Sequence, residues 1–589
     1  MHLLKELRRR RVFRTAGLYI VAAWVLLQVA SLAFPALNIP EVAIRFVWFA
    51  AILGFPVALL FGWRYQISDK GIFRTTGTAT SDQNISLKRA DFLILSALLA
   101  ITVVIGWRAV VDIKTVETPF RMSTFGREIH PNSVAVLRLG NLTGDLEQQF
   151  FVDGIHDALT AVLSQVSGLR VKSRTSTSVY KGVSRPLPEI ADELGVANII
   201  EGSVFRTGDE VQISVQLIDA VTDEHVWSQN YRRSMKDMLA LQAEVAMTVA
   251  DKIDVALTAD EMSRLRKSRV VDPRVYELYL KGMYFVKRLD PSAIQRGLNL
   301  LHDAVGIDPR EPLAYAAIAL GYNTIGHGVN AHDAFPKALA AADKALELDN
   351  WSGEAWAALG EAQLYYEWDW ASAEASLTRA IQLSPSLDHA YAHYAYLVAL
   401  HGRMDEALQI SEKARDLSPV DPIWAGFTAW LYMLDSQWGK AIETCEECLS
   451  FAPNFWLCQY VLGQIYSAQG QIDKALAAHE SMPDGTIFKP WAIGITFALA
   501  GRRDDAMRTI TAMQATATPR DNFHIALTYS ALGDSDAAFE WFSAAFESRS
   551  DWLPWIALPY AYGGAVEPIR NDPRFQALIE RLDLPSDGS

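Results

Sequence analysis

Basic residues are outnumbered by acidic ones in this chain. Its 589 residues include 54 lysines and arginines against 68 aspartates and glutamates, which gives a formal net charge of −14. Nucleic-acid binding relies on basic side chains that neutralise phosphates, so this balance argues against a nucleic-acid partner. The length is too great for one hydrophobic core, and we expect several domains.

Residue patterns typical of enzymes are also absent. The phosphate-loop string G-x4-G-K-[S/T] does not occur, and the N-L-T-G turn from Asn141 to Gly144 does not replace it. The sequence contains no paired metal carboxylates, no nucleophile elbow and no loop that would hold a cofactor. We therefore expect a protein without enzymatic activity, cofactor or bound metal.

A 34-residue period runs through the second half of the chain. Three prolines, Pro385, Pro419 and Pro453, stand 34 residues apart. Two fragments of a known repeat signature accompany them, W-x2-L-G from Trp356 and L-G-x2-Y from Leu462. The pattern resembles the tetratricopeptide repeat family. The resemblance predicts an all-α solenoid of about eight helix pairs over residues 275–550, followed by a C-terminal cap and tail over residues 551–589.

Glycines recur where each predicted unit turns from its first helix to its second. They are Gly402, Gly470, Gly501 and Gly533. Glycine adopts positive φ without steric cost, so we expect a left-handed residue at each of these turns.

Cysteine is rare, with three residues in the whole chain. Cys445 and Cys448 form C-x2-C, a spacing found in metal and redox sites. The 34-residue register puts Cys448 at the position of Ala380 and Ala414, on the packed face of a second helix. We therefore interpret both cysteines as small buried thiols. Whether Cys458 forms a disulfide with one of them stays open.

The repeat register also predicts a binding surface. In the tetratricopeptide family certain first-helix positions line the inner face of the solenoid, and the resemblance transfers this role to nine residues. They are Glu354, Glu361, Tyr365, His389, Tyr396, Trp430, Met433, Tyr460 and Gln464. Aromatic and methionine side chains in a concave groove suit a protein or peptide partner with apolar anchors. The alternative is that some of them pack between helices instead.

Two clusters of titratable residues require interpretation. His389 and His393 are four residues apart, a spacing that can hold a metal, but no glutamate follows His389 as it does in zinc proteases. Asp153, His156 and Asp157 share part of a predicted helix, and no nucleophile accompanies them. We interpret this second cluster as a solvated helix face.

Long uncharged runs are confined to the N-terminal part of the chain, up to Val111. Residues 15–37, 46–63 and 92–111 are each long enough, or nearly so, to cross a bilayer as a helix. Six basic residues precede the first run, none lies in the connection over residues 35–44, and five separate the second run from the third. The positive-inside rule then predicts a cytoplasmic N-terminal tail over residues 1–14, three membrane helices, and a periplasmic location after residue 111 in a bacterial inner membrane.

A separate α/β domain is predicted over residues 132–257, between linkers at 112–131 and 258–274. Apolar runs alternate with helical spacing, and three β-rich runs at 198–205, 211–219 and 225–232 are separated by turn sequences. The pattern indicates a mixed sheet packed against helices.

This region carries a second resemblance. The segments S-V-A-V-L from Ser133, F-x-D-G-I from Phe151, E-G-S-V from Glu201 and Q-L-I-D-A from Gln216 are similar to the FlgO-like or TolB amino-terminal-like domain of bacterial envelope proteins. In some relatives this domain and the repeats follow a nucleotide cyclase or a winged-helix DNA-binding domain. Because only the short basic tail precedes the first apolar run, we expect no such output domain here.

Two functions are compatible with this organisation. The first is a non-catalytic, membrane-anchored periplasmic scaffold or adaptor that binds protein partners along its repeat groove. The second is a sensor whose α/β domain binds an envelope ligand and relays its occupancy to a separate cytoplasmic output protein. The sequence leaves the partner, the biological process and the oligomeric state open.

Overall fold

A computed structural model describes most of the chain after residue 120. The described residues are 121–123, 128–145, 148–180, 185–267, 269–288, 290–327, 331–486, 488–516, 519–558 and 561–584, together with a few before them. The chain divides into two compact units, Met1–Pro119 and Phe120–Ser589.

Little of the N-terminal unit is described. Residues 19, 23, 24, 27 and 55 are helical, and the rings of Tyr19 and Phe55 lie 6.1 Å apart. Two strands, β1 (Tyr65–Ser68) and β2 (Gly71–Arg74), form an antiparallel hairpin. Within the described residues, none of the helices has the length and apolarity needed to span a bilayer. The three predicted membrane helices lie almost wholly outside the described residues, and they stay a prediction.

The second unit begins with a mixed β-sheet. Its strands are β3 (Arg121–Met122), β4 (Glu128–Val136), β5 (Gly140–Asn141), β6 (Arg170–Val171), β7 (Val196–Thr207), β8 (Glu210–Asp219) and β9 (Glu224–Ser234). The order is β3-β4-β7-β8-β9, where β4 and β7 are parallel and β7, β8 and β9 are antiparallel; the short β5 and β6 pair with β7 and β4. The predicted α/β fold is confirmed, although β4 begins before Ser133.

Helices cover the sheet on two faces. They are α1 (Gln149–Leu163), α2 (Arg174–Ser178), α3 (Leu187–Leu194), α4 (Met238–Lys252) and α5 (Ala259–Arg266). Val211, Val215 and Leu217 alternate along β8 with more exposed residues and point into a core shared with α1 and α4. A second core, which contains Ile190 and Leu194, lies under α3. The predicted linker over residues 258–274 contains α5, and its Glu261 accepts a hydrogen bond from the Ser167 amide of the α/β domain.

Sixteen helices of the described region follow as eight successive pairs. Their bounds are α6 (Pro273–Val286), α7 (Pro291–Ile307), α8 (Pro312–Gly326), α9 (Ala331–Leu348), α10 (Gly353–Ala362), α11 (Trp370–Leu383), α12 (Asp388–Leu400), α13 (Met404–Leu417), α14 (Pro422–Leu434), α15 (Trp438–Phe451), α16 (Trp456–Ala468), α17 (Ile472–Glu480), α18 (Phe488–Leu499), α19 (Arg503–Thr516), α20 (Asp521–Ala531) and α21 (Ser535–Glu547). Each helix packs mainly against its neighbours in sequence, as expected for a solenoid.

Several helices begin at an acidic residue followed by proline. Asp272, Asp290 and Asp421 each accept a hydrogen bond from a backbone amide in the first helical turn. Proline then occupies the first helical position, where its missing N–H group costs nothing. This local chemistry fixes where these three helices begin.

The turn inside each pair repeats a left-handed residue. Gly402, Gly470, Gly501 and Gly533 have φ between 70° and 75°, so the expected conformation is confirmed. The same register places Trp368 and Ser436 at equivalent turns, with φ of 57° and 60°. The backbone conformation is therefore kept where glycine is absent, at a steric cost of about 1–2 kcal/mol for a residue with a Cβ atom.

After α21 the chain continues through three short 3₁₀ turns, Leu553–Ala557, Ala561–Gly564 and Glu567–Ile569, and ends in α22 (Pro573–Leu582). Almost all apolar side chains of the first two turns are buried. This C-terminal segment, residues 551–569, therefore forms part of the interior.

The α/β domain docks onto loops that close successive helix pairs. The Ser173 amide donates to the Leu417 carbonyl oxygen at 2.8 Å, and Arg264 donates at 3.5 Å to the carbonyl oxygen of Leu383, one repeat period earlier. The Val171 amide donates to Ser386 Oγ, and the amide of Val420, one repeat period later, donates to Ser176 Oγ. The α/β domain is therefore bound by two equivalent loops, which lie one repeat period apart.

We predict that Ser436→Gly stabilises the protein. Ser436 is exposed and left-handed, and glycine removes the steric cost of that conformation, so the free energy of unfolding should rise by about 0.5–1 kcal/mol. Urea unfolding of the full-length protein measures the change. Ser436→Ala keeps the Cβ atom and serves as the control, and an equal gain from alanine would contradict the explanation.

Candidate functional site

The nine predicted groove residues divide into two groups. Five of them are only 1–3% exposed: Tyr396, Trp430, Met433, Tyr460 and Gln464. The other four, Glu354, Glu361, Tyr365 and His389, border a recess rich in titratable groups. Eight of the nine lie on α10, α12, α14 and α16, the first helices of successive pairs, and Tyr365 lies in a π-helical turn, Gln363–Glu367, that continues α10.

The C-terminal segment occupies the space in front of the buried group. The ring of Trp555 lies 4.6 Å from that of Tyr396 and 4.7 Å from that of Trp430, measured between centroids. Trp552 contacts Trp430 and Tyr460 at 5.6 Å and 6.4 Å. Aromatic rings at such separations stabilise each other beyond the area that they bury.

Other contacts join the last helix pair to early ones. His332 bonds to the carbonyl oxygen of Glu547 at 2.8 Å, and the Trp368 ring lies 5.2 Å from that of Phe546. Trp370 Nε1 donates to the carbonyl oxygen of Leu582. The solenoid therefore closes on itself, and the C-terminal segment fills its interior.

The prediction of an open groove needs correction at the five buried positions. All five are buried, and the chain's own C-terminal segment lies against four of them: Trp552, Trp555 and Tyr562 contact the aromatic rings, and Gly563 lies against Gln464. The physical reason is that apolar rings on the inner face bury the nearest available apolar surface. A tethered segment of the same chain is present at a high effective concentration.

The remaining inner surface is a recess that we call the charged recess. It is formed by His327, Glu354, Glu361, Tyr365, Asp388, His389 and His393. The side chain of His389 is 27% exposed and that of His393 is 13% exposed, so the recess is accessible from outside.

His327 bridges two carboxylates across the recess. Its Nε2 lies 3.0 Å from Glu361 Oε1, and its Nδ1 lies 3.0 Å from Asp551 Oδ2. Burial alone would lower the pKa of His327, but the hydrogen bonds to Asp551 and Glu361 outweigh this effect and raise the pKa to about 9. The imidazolium therefore connects α10 with the start of the C-terminal segment.

Glu361 carries most of the polar contacts in the recess. It accepts a hydrogen bond from Asn323 at 3.0 Å and lies 3.8 Å from His393 Nε2. Burial would raise its pKa, but the nearby His393 and His327 lower the pKa to about 2. Burial lowers the pKa of His393 to about 4, against the attraction of Glu361, so His393 is neutral at pH 7.

Glu354 differs from its neighbours because no other described residue binds its carboxylate. Burial raises its pKa, while its own backbone amide, His389 and Lys287 act in the opposite direction. Asp388, in contrast, accepts hydrogen bonds from Ser418 and Trp424. Glu354 therefore presents an acceptor that is available to a ligand.

The α/β domain contributes to the rim of the recess. Lys287, directly after α6, donates to Asp157 of α1 at 2.8 Å, and Arg174 of α2 contacts the same carboxylate. Burial would raise the pKa of Asp157, but Lys287, His156 and Arg174 hold it well below its ordinary value.

This arrangement corrects our interpretation of the α1 cluster. Asp153 and His156 are each 3% exposed, and Asp153 forms an ion pair with Arg138. They are buried because they face the sheet: Arg138 lies just after β4, and His156 Nε2 lies 2.9 Å from the carbonyl oxygen of Val136 in β4. Elsewhere on α1, the Cβ of any residue replacing Gly154 would lie 2.9 Å from Leu280 of α6. The face predicted to be solvated is instead buried against the sheet at Asp153 and His156, and at Asp157 it contacts Lys287 of the repeat region.

The three cysteines are free and fully buried, as the register predicts for Cys445 and Cys448. They lie between α15 and α16, and hydrogen bonding to Cys458 and burial raise the pKa of the Cys448 thiol. Among the described residues there is no cluster of three or more possible metal ligands.

Sequence reasoning missed His327 and Asp551. His327 stands 34 residues before Glu361, so extending the repeat register by one unit would have selected it. Asp551 gave no such signal, because its place depends on the path of the chain after the last repeat.

Comparisons with known proteins identify the repeats. The tetratricopeptide repeat family profile matches residues 522–551, which include most of α20 and all of α21. Together with the 34-residue period and the paired helices, this match means that the chain contains tetratricopeptide repeats. A solved structure of PilF from Pseudomonas aeruginosa is 17% identical, covers 35% of this chain and 89% of PilF, and superposes with a TM-score of 0.29.

Two curated relatives have regulatory names. "Putative adenylate cyclase 3" of Rhizobium meliloti is 36% identical over 188 residues, which are 32% of this chain and 32% of that protein. Transcriptional regulator HilA of Salmonella typhimurium is 25% identical over 321 residues, which are 53% of this chain and 56% of HilA. The chain thus spans about a third of the first relative and just over half of the second.

We predict that Trp430→Ala strongly destabilises the protein. The indole is 1% exposed and contacts three rings of the C-terminal segment, so its removal should cost about 3–5 kcal/mol of unfolding free energy. Urea denaturation measures the loss. Trp351→Ala, at a 40% exposed tryptophan, is the matched control and should cost under about 1 kcal/mol. Similar losses for both variants would refute the buried assignment.

We also predict pH-dependent stability from His327. Its pKa is higher in the folded protein than the ordinary 6.5, so its contribution is complete below pH 6.5 and is lost as the pH rises through about 9. A shift of this size corresponds to roughly 2–4 kcal/mol. Unfolding measured at pH 6 and pH 9.5 should show this loss, and His327→Gln should reduce it.

The matched control is His225→Gln, at an exposed histidine of β9, which should leave the pH dependence unchanged. An unaltered pH profile in His327→Gln would show that the bridge contributes nothing.

Proposed function

We propose that this protein is a non-catalytic, membrane-anchored scaffold whose tetratricopeptide repeats bind a protein partner at the charged recess. The observation that carries this proposal is the accessible carboxylate of Glu354, which lacks a side-chain partner among the described residues on the part of the inner surface that the chain leaves open. Tetratricopeptide repeats act in protein interaction, and their inner face is the usual binding surface.

The chemistry of the recess favours a partner segment with a basic side chain. Glu354 offers an acceptor for a charge-assisted hydrogen bond, which is stronger than one between neutral groups. The rings of Tyr365, His389 and Trp424 all contact His393 in the same recess and offer apolar and cation–π contacts. A lysine or arginine next to an apolar residue would use both features.

Membrane attachment is part of the same proposal. The distribution of basic residues among the N-terminal apolar runs supports a cytoplasmic N-terminus and a periplasmic repeat region. A reporter fused at residue 120 tests this topology, because an enzyme that requires an oxidising compartment would be active there only if the residue is periplasmic.

The alternative is a sensor in which the α/β domain binds an envelope ligand and signals to a separate cytoplasmic protein. Two observations support this sensor hypothesis. The α/β domain borders the recess through Asp157 and Lys287, and the two curated relatives carry the names of an adenylate cyclase and a transcriptional regulator. Because this chain covers only part of each relative, the relatives' activities are not transferred to it. They suggest only the kind of regulatory process in which a sensor would act.

We predict that Glu354→Gln weakens partner capture from crosslinked membranes by about tenfold or more, since one charge-assisted hydrogen bond is worth about 1.5–3 kcal/mol. Quantitative mass spectrometry of co-purified proteins measures the effect. Glu443→Gln, at an exposed glutamate of α15, is the matched control and should retain full capture.

The identity of the lost partner separates the two functions. A periplasmic protein lost from Glu354→Gln supports the scaffold, whereas a cytoplasmic kinase or cyclase supports the sensor. Equal recovery of every partner by Glu354→Gln and Glu443→Gln would rule out the charged recess as the binding surface.

A further inference from the structure

Strand β9 forms a free edge of the sheet in the α/β domain. It pairs with β8 on one side through its residues from Glu224 to Ser234. On its other side, the part of the chain that the structure describes contributes no backbone partner. A free edge strand presents unpaired N–H and C=O groups, which can pair with another strand.

The exposure of β9 extends over both of its faces. Ser228, Gln229 and Asn230 are all exposed, and Tyr231 is the one buried side chain of the strand. Val226 is 44% exposed and Val221, in the preceding turn, is 51% exposed. The middle of the strand is therefore accessible to a second strand.

Features that normally protect an edge are confined to its ends. The register with β8 shifts between Leu217 and Ile218, which inserts one extra residue at Val226 near the start of β9. Charged residues stand at the two termini. The central stretch from Ser228 to Tyr231 contains no charge and no proline, so nothing there prevents pairing.

The charges of the strand select the orientation of its partner. Glu224 stands at the start, and Arg232 and Arg233 stand near the end. Two copies of β9 in antiparallel orientation would place Glu224 of each copy near the arginines of the other, whereas parallel copies would place like charges together. Opposite charges across paired strands are favourable and like charges are not.

Existing ion pairs do not prevent this arrangement. Arg232 contacts Glu210 and Arg233 contacts Glu244, and the side chains of all four residues are between 41% and 73% exposed. Exposed pairs of this kind contribute about 0–1 kcal/mol, so they can be shared with a new partner.

We propose that β9 pairs antiparallel with β9 of a second copy of this chain, so that the two sheets form one continuous sheet across a two-fold axis. The axis is perpendicular to the sheet, and residues opposite each other therefore lie on the same face. We place Ser228 opposite Ser228 of the second copy. Because of the extra residue at Val226, Glu224 then lies opposite Tyr231 and diagonal to Arg233, which points to the same face as Glu224. The proposal does not depend on the charged recess.

Crosslinking through the two-fold axis tests the register. Opposite residues in paired strands have Cβ atoms about 4.5–5.5 Å apart, which allows a disulfide after a small adjustment. We predict that Ser228→Cys in the full-length protein forms a covalent dimer under mild oxidation, with more than half of the chains crosslinked. The three native cysteines are buried and should give little background.

Gln212→Cys is the matched control. Gln212 is exposed on the neighbouring strand β8 and opposite Arg232, hence on the same face as Ser228, but one strand further from the axis. It should give little covalent dimer. Equal crosslinking at both positions would indicate random collision and would overturn the proposal.

Charge exchange gives a second measurement that does not require cysteine. Glu224→Arg should weaken dimerisation by about tenfold in sedimentation equilibrium, since two contacts are reversed in each dimer. The double variant Glu224→Arg, Arg233→Glu restores opposite charges on the same face and should recover most of the affinity. A full-length protein that sediments as a monomer at micromolar concentration would refute the proposal.

Discussion

The structure of the repeat region depends on the packing of the C-terminal segment inside the solenoid. In an ordinary repeat array each unit contacts only its neighbours, and the inner face stays open. Here Trp552 and Trp555 contact the first helices of three successive pairs, and the last pair meets early ones through Trp368 and His332. These contacts convert an open array into a closed body with a continuous interior.

This closure decides which part of the inner surface can act. The aromatic part, around Tyr396, Trp430 and Tyr460, is buried by the C-terminal segment. The part that stays accessible is the charged recess, which carries histidines and carboxylates. Lys287 and Asp157 connect that half to the α/β domain, which in turn rests on two loops spaced by one repeat. A ligand in the recess would therefore contact residues of both domains. Its binding would stabilise the contact between the α/β domain and the repeats.

Much of the fold could be predicted from the sequence, because it follows from local rules. The 34-residue period predicts the helix pairs, and the left-handed turns at Gly402 and Gly470 follow from the freedom of glycine. The β-rich runs lie in the strands because alternation is a local property. Trp368 and Ser436 were not expected at left-handed turns, since the fold there imposes a conformation that their residue types disfavour.

The candidate site was predicted less completely, because it depends on distant contacts. The register predicted Tyr396 and Trp430 on the inner side, but it contained no information about a segment far along the chain that packs against their rings. Asp157 was misjudged for the same reason, since its burial requires α6 and α2 together. Neither the repeat period nor the residue types predict contacts between residues that are far apart in the sequence.

The bridge from His327 to Asp551 also bears on how the chain acquires its structure. It joins residues separated by 224 positions, while most helix contacts are between sequence neighbours. Contacts of long sequence separation form slowly because they pay a large loop-closure entropy. Helix pairs can therefore assemble progressively during synthesis with their inner aromatic rings uncovered, and only after residue 569 has left the ribosome can the interior be completed. Until then the nascent chain exposes the apolar surface that chaperones recognise.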